Sequence, residues 1–156
     1  MTRILFICHG NICRSAGAEI VLRHMLRENR LDRTVLVSSA ATTREEIGHD
    51  IYPPMKKVLL DREYDCGRHA ARQTTREDYR RYDFIIGMDE ENLLDLRRIY
   101  GGDPEKKLSM LMDWAGYPGR EIDDPWYTRD FQGVLRQIEA GCGGLLKALL
   151  SRDKDR

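Results

Sequence analysis

The sequence lacks any apolar run long enough to cross a membrane as a helix, which takes about 20 residues. Its N-terminal apolar stretch, Ile4–Ile7, is shorter than a secretory signal requires, and polar residues soon follow. Lysine and arginine balance aspartate and glutamate, 26 against 26, so the global charge indicates neither a nucleic-acid nor a membrane partner. We therefore expect a cytoplasmic protein without either partner.

Cysteine is scarce, and without a secretory signal the four cysteines are better interpreted as thiols than as a disulfide framework. The 156 residues fit one domain, 1–156, and a monomer is the default expectation. No internal repeat, low-complexity segment or linker divides the chain. The sequence also lacks Gly-x-Gly-x-x-Gly and Walker A spacings, which disfavours a mononucleotide-binding protein.

Short apolar runs alternate with amphipathic segments along the chain. Strands are predicted at residues 4–7, 34–41, 83–88 and, from a weaker pattern, 107–112. Helices are predicted at 16–28 with Ser15 as N-cap, from Pro53, at 75–79, at 90–100 after Asp89, and at 131–150. This order predicts a doubly wound α/β fold with a mostly parallel four-stranded sheet and helices on both faces. Residues 113–130 are expected to form a long loop, and 151–156 a frayed tail.

The stretch CHGNICRS, residues 8–15, follows the first predicted strand, at the edge where such sheets bind ligands. Gly10 and Asn11 tolerate conformations that turn backbone N–H groups inward as an anion-binding nest. The next helix directs its positive end to the same place, and Arg14 can hold two phosphate oxygens. We predict a socket for a tetrahedral oxyanion above Cys8. Its predicted phosphate-binding residues are His9, Gly10, Asn11, Ile12, Cys13, Arg14 and Ser15.

The same surroundings act on the Cys8 thiol. A helix N-terminus and a nearby arginine favour the thiolate, which is the nucleophilic form. Such a thiolate could attack the phosphorus of a bound phosphate ester. Ser15 is placed to donate a hydrogen bond to the sulfur when, in a second step, the sulfur leaves the phosphorus again. A lone cysteine at a strand end is more often an ordinary buried residue. The Cys-x5-Arg spacing, with Gly10 and Asn11 inside it, favours the catalytic interpretation.

CHGNICRS resembles the signature loop of the low-molecular-weight protein tyrosine phosphatases. The resemblance covers nearly the whole chain, because HAARQ, IIGMDEENLLDL and a late Asp-Pro pair follow in the family's order. It implies hydrolysis of phosphotyrosine in a protein or peptide through a phosphocysteine on Cys8, with release of phosphate. It also implies that the reaction needs neither a metal nor another cofactor.

The family's general acid is the aspartate of an Asp-Pro pair, and Asp124 matches it. Asp123 is the competing candidate for the general acid. Adjacent carboxylates such as Asp123 and Asp124 also occur in ordinary solvated turns without any catalytic role. Pro125 would restrict the residue before it. Trp126 and Tyr127 match aromatic residues that form a wall against the phenyl ring of phosphotyrosine. The alternative for both is an ordinary aromatic pair on a surface loop.

The resemblance also assigns supporting residues. Asn11, Ser39 and His69 match residues that hold the loop in a strained conformation, which persists only when its neighbours enforce it. Cys13 matches a cysteine that forms a reversible disulfide with the nucleophile and protects it from irreversible oxidation. The alternative for Cys13 is a small buried residue beneath the loop.

The chain departs from the family at Glu45, on or near a position where many members carry an aromatic residue. The Glu45–Glu46 pair is interpreted either as a selector of basic residues in a substrate or as part of a solvated loop. A glycine is also more usual at Ala40. We expect these changes to leave activity on phosphotyrosine intact and to alter the affinity for the substrate and the preference among substrates.

Three alternative functions stay open at this point. A phosphoarginine phosphatase typically carries threonine where this chain has Ile12, and the isoleucine favours an aryl phosphate. A thioredoxin-linked arsenate reductase needs two further cysteines near the third strand, but none lies between Gln73 and Glu105. A module that captures phosphate without turnover would need neither Cys8 nor Asp124.

Overall fold

The computed structural model describes residues 1–154, and a sheet of four parallel strands lies at the centre of this part of the chain. The strands are β1 (Thr2–Cys8), β2 (Val35–Ala41), β3 (Phe84–Gly87) and β4 (Leu108–Met110). Their order is β2-β1-β3-β4, and every neighbouring pair is parallel. The predicted doubly wound α/β fold is therefore confirmed.

Helices connect the strands and cover both faces of the sheet. They are α1 (Arg14–Glu28), α2 (Pro53–Asp61), α3 (Arg76–Arg81), α4 (Glu90–Tyr100), α5 (Leu111–Trp114), α6 (Pro125–Thr128) and α7 (Phe131–Lys154). Within residues 1–154, none of these helices combines the length and the apolar character that crossing a membrane requires.

The alternation of side chains along β1 divides the core in two, because successive residues of a strand point to opposite faces. Ile4 and Phe6 belong to the larger apolar cluster, which α1, α2, α5 and α7 share. Leu5 and Ile7 belong to the smaller cluster, against α3 and α4. Burial on both faces explains why β1 reads as a continuous apolar run.

The predicted start of α1 is wrong by two residues. Ser15 is not the N-cap: the helix begins at Arg14, and Cys13 occupies the N-cap without a side-chain hydrogen bond to the helix. Ser15 is instead fully buried in the first turn. Its hydroxyl is engaged with the loop before the helix, as described below, and is therefore not used as a cap.

The weak fourth strand is shorter than predicted. β4 ends at Met110, because the Asp113 carboxylate accepts the Met110 N–H at 2.9 Å and α5 begins at the next residue. In contrast, Thr75 and Asp89 occupy the N-caps of α3 and α4. The bonds at Asp89 are reciprocal, because its Oδ1 accepts the Asn92 N–H at 2.8 Å and Asn92 Oδ1 accepts the Asp89 N–H at 3.3 Å.

The loop predicted at 113–130 contains helical turns. Besides α5, it holds α6, in which Pro125 takes the first helical position and Asp124 Oδ1 accepts the Trp126 N–H at 3.0 Å. Aspartate at an N-cap followed by proline is a favourable helix start. This short helix fixes the position of the Asp-Pro pair.

The predicted frayed tail is also wrong in its first part. Residues 151–154 continue α7, and the Arg152 guanidinium lies 5.2 Å from the centroid of the Phe84 ring. This contact gives the polar end of the helix a partner on the sheet. Residues 155 and 156 of the predicted tail lie outside the described residues.

Candidate active site

The segment between β1 and α1 turns around Asn11, which adopts a left-handed conformation with φ of 59° and is completely buried. Its backbone N–H donates to Cys8 Sγ at 3.3 Å, and its Nδ2 donates to Ser15 Oγ at 2.9 Å. Its carbonyl accepts from His69 Nε2 at 2.6 Å, and its Oδ1 accepts the Arg72 N–H at 3.2 Å. Four contacts therefore hold a conformation that L-residues other than glycine seldom adopt.

Ser39 is not one of those contacts, so its predicted direct support of Asn11 is wrong. Ser39 Oγ donates to Glu19 Oε1 at 2.6 Å, and this bond ties β2 to α1. A carboxylate is a stronger acceptor than an amide oxygen. The backbone N–H of Arg72 contacts Asn11 Oδ1 instead.

The sulfur of Cys8 is buried at the end of β1 and receives polar contacts from the loop. Cys8 Sγ lies 3.0 Å from Ser15 Oγ and accepts the Asn11 N–H. Since Ser15 Oγ already accepts a hydrogen bond from Asn11 Nδ2, its own proton is available to the sulfur. Both contacts stabilise a negative charge on the sulfur, as does the N-terminus of α1.

Arg14 lies beside this sulfur, and its side chain is only 3% exposed. Nη1 donates to Asp89 Oδ2 at 2.7 Å and to the Ile122 carbonyl at 2.8 Å, while Nη2 lies 3.7 Å from Asp124 Oδ2. Burial alone would lower the pKa of the guanidinium, but the negative charge of Cys8 and the bond to Asp89 raise it above its ordinary value. Arg14 therefore stays charged inside the site.

Asp89 is a functional residue that the sequence analysis missed. It was identified only as a helix cap, and its Oδ1 does accept the Asn92 N–H at 2.8 Å. The cap leaves Oδ2 for Arg14. The parallel order of β1 and β3 was the available signal, because the carboxyl ends of neighbouring parallel strands meet at one edge of the sheet.

Cys13 lines the same site one residue before Arg14. Burial raises the pKa of its thiol, and the negative charge of Cys8 raises the pKa further. Cys13 is therefore held in its neutral form. All four cysteines are thiols in this structure.

A cleft of about 280 Å³ opens above the loop. Asp124 lines it, whereas Asp123 borders a different surface groove. Asp124 is 31% exposed, faces Arg14 with Oδ2, and is held by the bond from the Trp126 N–H to Oδ1. The structure thus brings Asp124, and not its neighbour, to the Cys8 loop.

Aromatic side chains form one wall of the cleft. The predicted residues Trp126 and Tyr127 line it and are exposed. The Tyr52 ring lies 5.3 Å from that of Trp126 and 5.8 Å from that of Phe131, and both Tyr52 and Phe131 also line the cleft. Neither Tyr52 nor Phe131 was predicted to belong to the site. No local pattern distinguishes either residue.

Ionisable side chains form the other side of the entrance. His9 Nε2 donates to Glu45 Oε2 at 2.9 Å, and His49 Nδ1 donates to Glu46 Oε2 at 2.6 Å. His9, Glu45 and Glu46 line the cleft. Glu45, the residue where the resemblance led us to expect a departure from the family, is thus paired with His9 at the entrance.

The fold and the loop together define a class of site: an oxyanion-binding thiol site at the carboxyl edge of a parallel sheet. A family model described as "Low molecular weight phosphotyrosine protein phosphatase" matches residues 3–155. The human protein of that description is 35% identical over 150 residues, covering 92% of this chain and 93% of that protein. The chain therefore belongs to the low molecular weight phosphotyrosine protein phosphatase family.

Two solved structures resemble the chain along nearly its full length. The crystal structure of YfkJ from Bacillus subtilis has a TM-score of 0.93 at 30% identity, covering 97% of this chain and 96% of that one. The structure of a Drosophila arginine phosphatase has a TM-score of 0.83 at 25% identity, covering 96% and 98%.

Proposed function

We propose that this protein tyrosine phosphatase hydrolyses phosphotyrosine in proteins or peptides through a phosphocysteine on Cys8. One arrangement carries the proposal: the Cys8 sulfur lies at the base of the cleft, with Arg14 beside it and the Asp124 carboxyl on the facing loop. Membership of the family supports the reaction class.

In the first step, Cys8 Sγ attacks phosphorus, so that an S–P bond forms as the P–O bond to the tyrosine breaks. Arg14 and the backbone N–H groups of residues 9–15 bind the non-bridging oxygens, whose charge they stabilise in the transition state. Asp124 gives its proton to the departing phenoxide. The aromatic wall of Trp126 and Tyr127 packs against the phenyl ring.

In the second step, water attacks the phosphocysteine and Asp124 accepts its proton. The S–P bond breaks, its electron pair returns to Cys8, and phosphate leaves. Ser15 and the Asn11 N–H, both within hydrogen-bond distance of the sulfur, stabilise the departing thiolate. His69 holds Asn11 through the carbonyl and acts as a positioning residue rather than a base.

Cys13 has a proposed protective role. Its position in the loop supports disulfide formation after peroxide has oxidised Cys8 to a sulfenic acid, with loss of water as the S–S bond forms. We further propose a monomer of one domain, 1–156, that acts in the cytoplasm without metal or other cofactor.

A second candidate is phosphoarginine. It is favoured by the similarity to the Drosophila arginine phosphatase and by the carboxylates at the entrance, which suit a guanidinium. Ile12, an apolar residue in the cleft, favours the aryl substrate instead.

The deciding experiment measures phosphate release from a phosphotyrosine peptide and a phosphoarginine peptide side by side. The assay is run under reducing conditions without metal, with Cys8→Ser as the control. We expect faster release from the phosphotyrosine peptide and none with the variant. Faster release from the phosphoarginine peptide would replace phosphotyrosine as the proposed substrate and leave the proposed chemistry in place. Binding of phosphate without its release from either peptide would overturn the proposal that the protein is a phosphatase acting through Cys8.

A further inference from the structure

The entrance of the cleft carries charge opposite in sign to its base. Arg14 supplies the positive base and is almost fully buried. Glu45 and Glu46 lie at the entrance, with side chains 64% and 34% exposed. Among the described residues that line the cleft, Arg14 is the only lysine or arginine. A phosphate bound at the base therefore leaves the two entrance carboxylates without a fixed cation.

Each histidine beside these carboxylates contacts one carboxylate oxygen and leaves the other without a hydrogen bond. His9 contacts Oε2 of Glu45, and His49 contacts Oε2 of Glu46. Each histidine therefore reaches only one of the two oxygens of its carboxylate. Within residues 1–154, no hydrogen-bond donor is directed at Oε1 of either carboxylate. Each side chain thus keeps one oxygen for a ligand.

The aromatic wall across the cleft does not neutralise this acidic side. The guanidinium carbon of Arg129 lies 5.8 Å from the centroid of the Tyr52 ring, 5.9 Å from that of Trp126 and 5.4 Å from that of Phe131. Nη1 of Arg129 also donates to Tyr52 Oη at 3.2 Å. Arg129 therefore belongs to the aromatic wall, and it is not among the residues that line the cleft.

The cleft continues into a neighbouring groove of about 860 Å³, and Glu46 is one of the residues common to both. The groove contains two lysines, but Lys56 pairs with Asp50 at 2.7 Å and Lys57 with Asp61 at 2.8 Å. Neither lysine contacts Glu46. A peptide whose phosphotyrosine ring enters the cleft, and whose chain leaves along this groove, would pass Glu46 directly, with Glu45 beside it at the entrance of the cleft.

From this geometry we propose that the preferred substrate carries a lysine or arginine next to the phosphotyrosine, and that Glu45 and Glu46 bind that cation. The inference rests on the proposed function, since it concerns the same cleft. Complementary charge favours the basic neighbour, and like charge disfavours an acidic one, so the pair discriminates by attraction and by repulsion.

The test compares two phosphotyrosine peptides that differ only in the residues flanking the phosphotyrosine, lysine in one and glutamate in the other. An exposed ion pair changes affinity by about fivefold at most. With two carboxylates we expect kcat/KM for the lysine peptide to exceed that for the glutamate peptide by about five- to tenfold. The ratio should approach one in about 0.5 M salt, because salt screens exposed charges.

The double variant Glu45→Gln, Glu46→Gln should reduce that ratio to about one. Glu63→Gln is the matched control, because Glu63 is exposed and lies outside both the cleft and the groove. It should keep the ratio of the unmodified protein. An unmodified protein without preference, or a double variant that retains the preference, would overturn the proposal.

Two further measurements separate this inference from the proposed function. Hydrolysis of free phosphotyrosine, compared with Cys8→Ser, tests the chemistry alone, because free phosphotyrosine has no flanking residue. Binding of both peptides to Cys8→Ser tests the preference without turnover. Tighter binding of the lysine peptide supports the inference even if hydrolysis fails, and equal binding contradicts it even if hydrolysis succeeds.

Discussion

Asp89 and Arg14 are joined by a 2.7 Å hydrogen bond between Oδ2 and Nη1, although 74 residues separate them along the chain. The other oxygen of the same carboxylate caps α4 through the Asn92 N–H. Asp89 thereby links the start of a helix to the guanidinium that we propose binds phosphate. Its two oxygens have separable roles, and a single substitution can distinguish them.

Asp89→Asn should lower kcat/KM with little change in the melting temperature. Asparagine is as good an N-cap as aspartate, so α4 is retained, but the charge that orients Arg14 is lost. A hydrogen bond to a charged group is worth about 1.5–3 kcal/mol, which corresponds to roughly 10- to 100-fold in rate. Asp95→Asn, on the same helix, is the control. Unchanged kinetics would show that Asp89 is only a cap.

Asp124→Asn should reduce kcat/KM by about 10²- to 10⁴-fold for aryl phosphates with poor leaving groups, and by less for good ones. The reason is that kcat/KM reports the first step, in which a good leaving group needs little protonation. The plot of log kcat/KM against leaving-group pKa should therefore be steeper than for the unmodified protein. Asp123→Asn is the matched control and should resemble the unmodified protein. A larger loss of activity in Asp123→Asn than in Asp124→Asn would show that Asp123 is the general acid.

Cys13→Ala should make oxidative inactivation irreversible. After brief exposure to peroxide, the unmodified protein should regain activity with a thiol reductant, because the Cys8–Cys13 disulfide is reducible. The variant should not recover, because Cys8 proceeds to the sulfinic acid. Cys66→Ala provides the control for a buried thiol outside the loop. Equal recovery of all three proteins would contradict the protective role.

Asp78 supports the site from a distance. Its carboxylate accepts from Arg72 Nη1 at 3.0 Å, Thr74 Oγ1 at 2.7 Å and the Thr75 N–H at 3.0 Å, and the Arg72 N–H contacts Asn11. Burial raises the pKa of this carboxyl, but the hydrogen bonds outweigh burial and lower the pKa below its ordinary value.

Asp78→Asn should therefore lower the free energy of unfolding by about 1–3 kcal/mol at neutral pH, measured by urea titration. Because the pKa is depressed in the folded state, the carboxylate stabilises the fold above about pH 4. That contribution is lost as the pH falls through the folded-state pKa. The difference between the two proteins should shrink in acid, with Asp61→Asn as an exposed control. A difference independent of pH would assign the effect to packing alone.

The local features of the site could be predicted from the sequence, because they depend on neighbours along the chain. The apolar run of β1 and the conformational tolerance of Asn11 are encoded within residues 4–15, although the start of the next helix, at Arg14, was predicted two residues too late. Resemblance to the family also allowed Asp124 to be predicted as a site residue, and the structure brings Asp124 to the cleft.

The contacts between distant segments could not be predicted in the same way. Ser39 was expected at Asn11, yet it bonds to Glu19, because the choice between two acceptors depends on how β2 packs against α1. Tyr52 enters the aromatic wall only because its N–H bonds to the Ile12 carbonyl at 2.8 Å. Neither the Ser39–Glu19 bond nor the Tyr52–Ile12 bond produces a periodic or compositional pattern in the sequence.

The central claim is the phosphocysteine, and a variant slowed in its breakdown tests it most directly. Ser15→Ala removes the hydroxyl 3.0 Å from Cys8 Sγ, so the second step should slow and the intermediate should accumulate. The measurement is mass spectrometry of the peptide containing Cys8 after rapid quenching with phosphotyrosine present. We predict a phosphoryl group on Cys8 in Ser15→Ala and none in Cys8→Ser. Continued turnover with the phosphoryl group on another residue, or on none, would contradict the account.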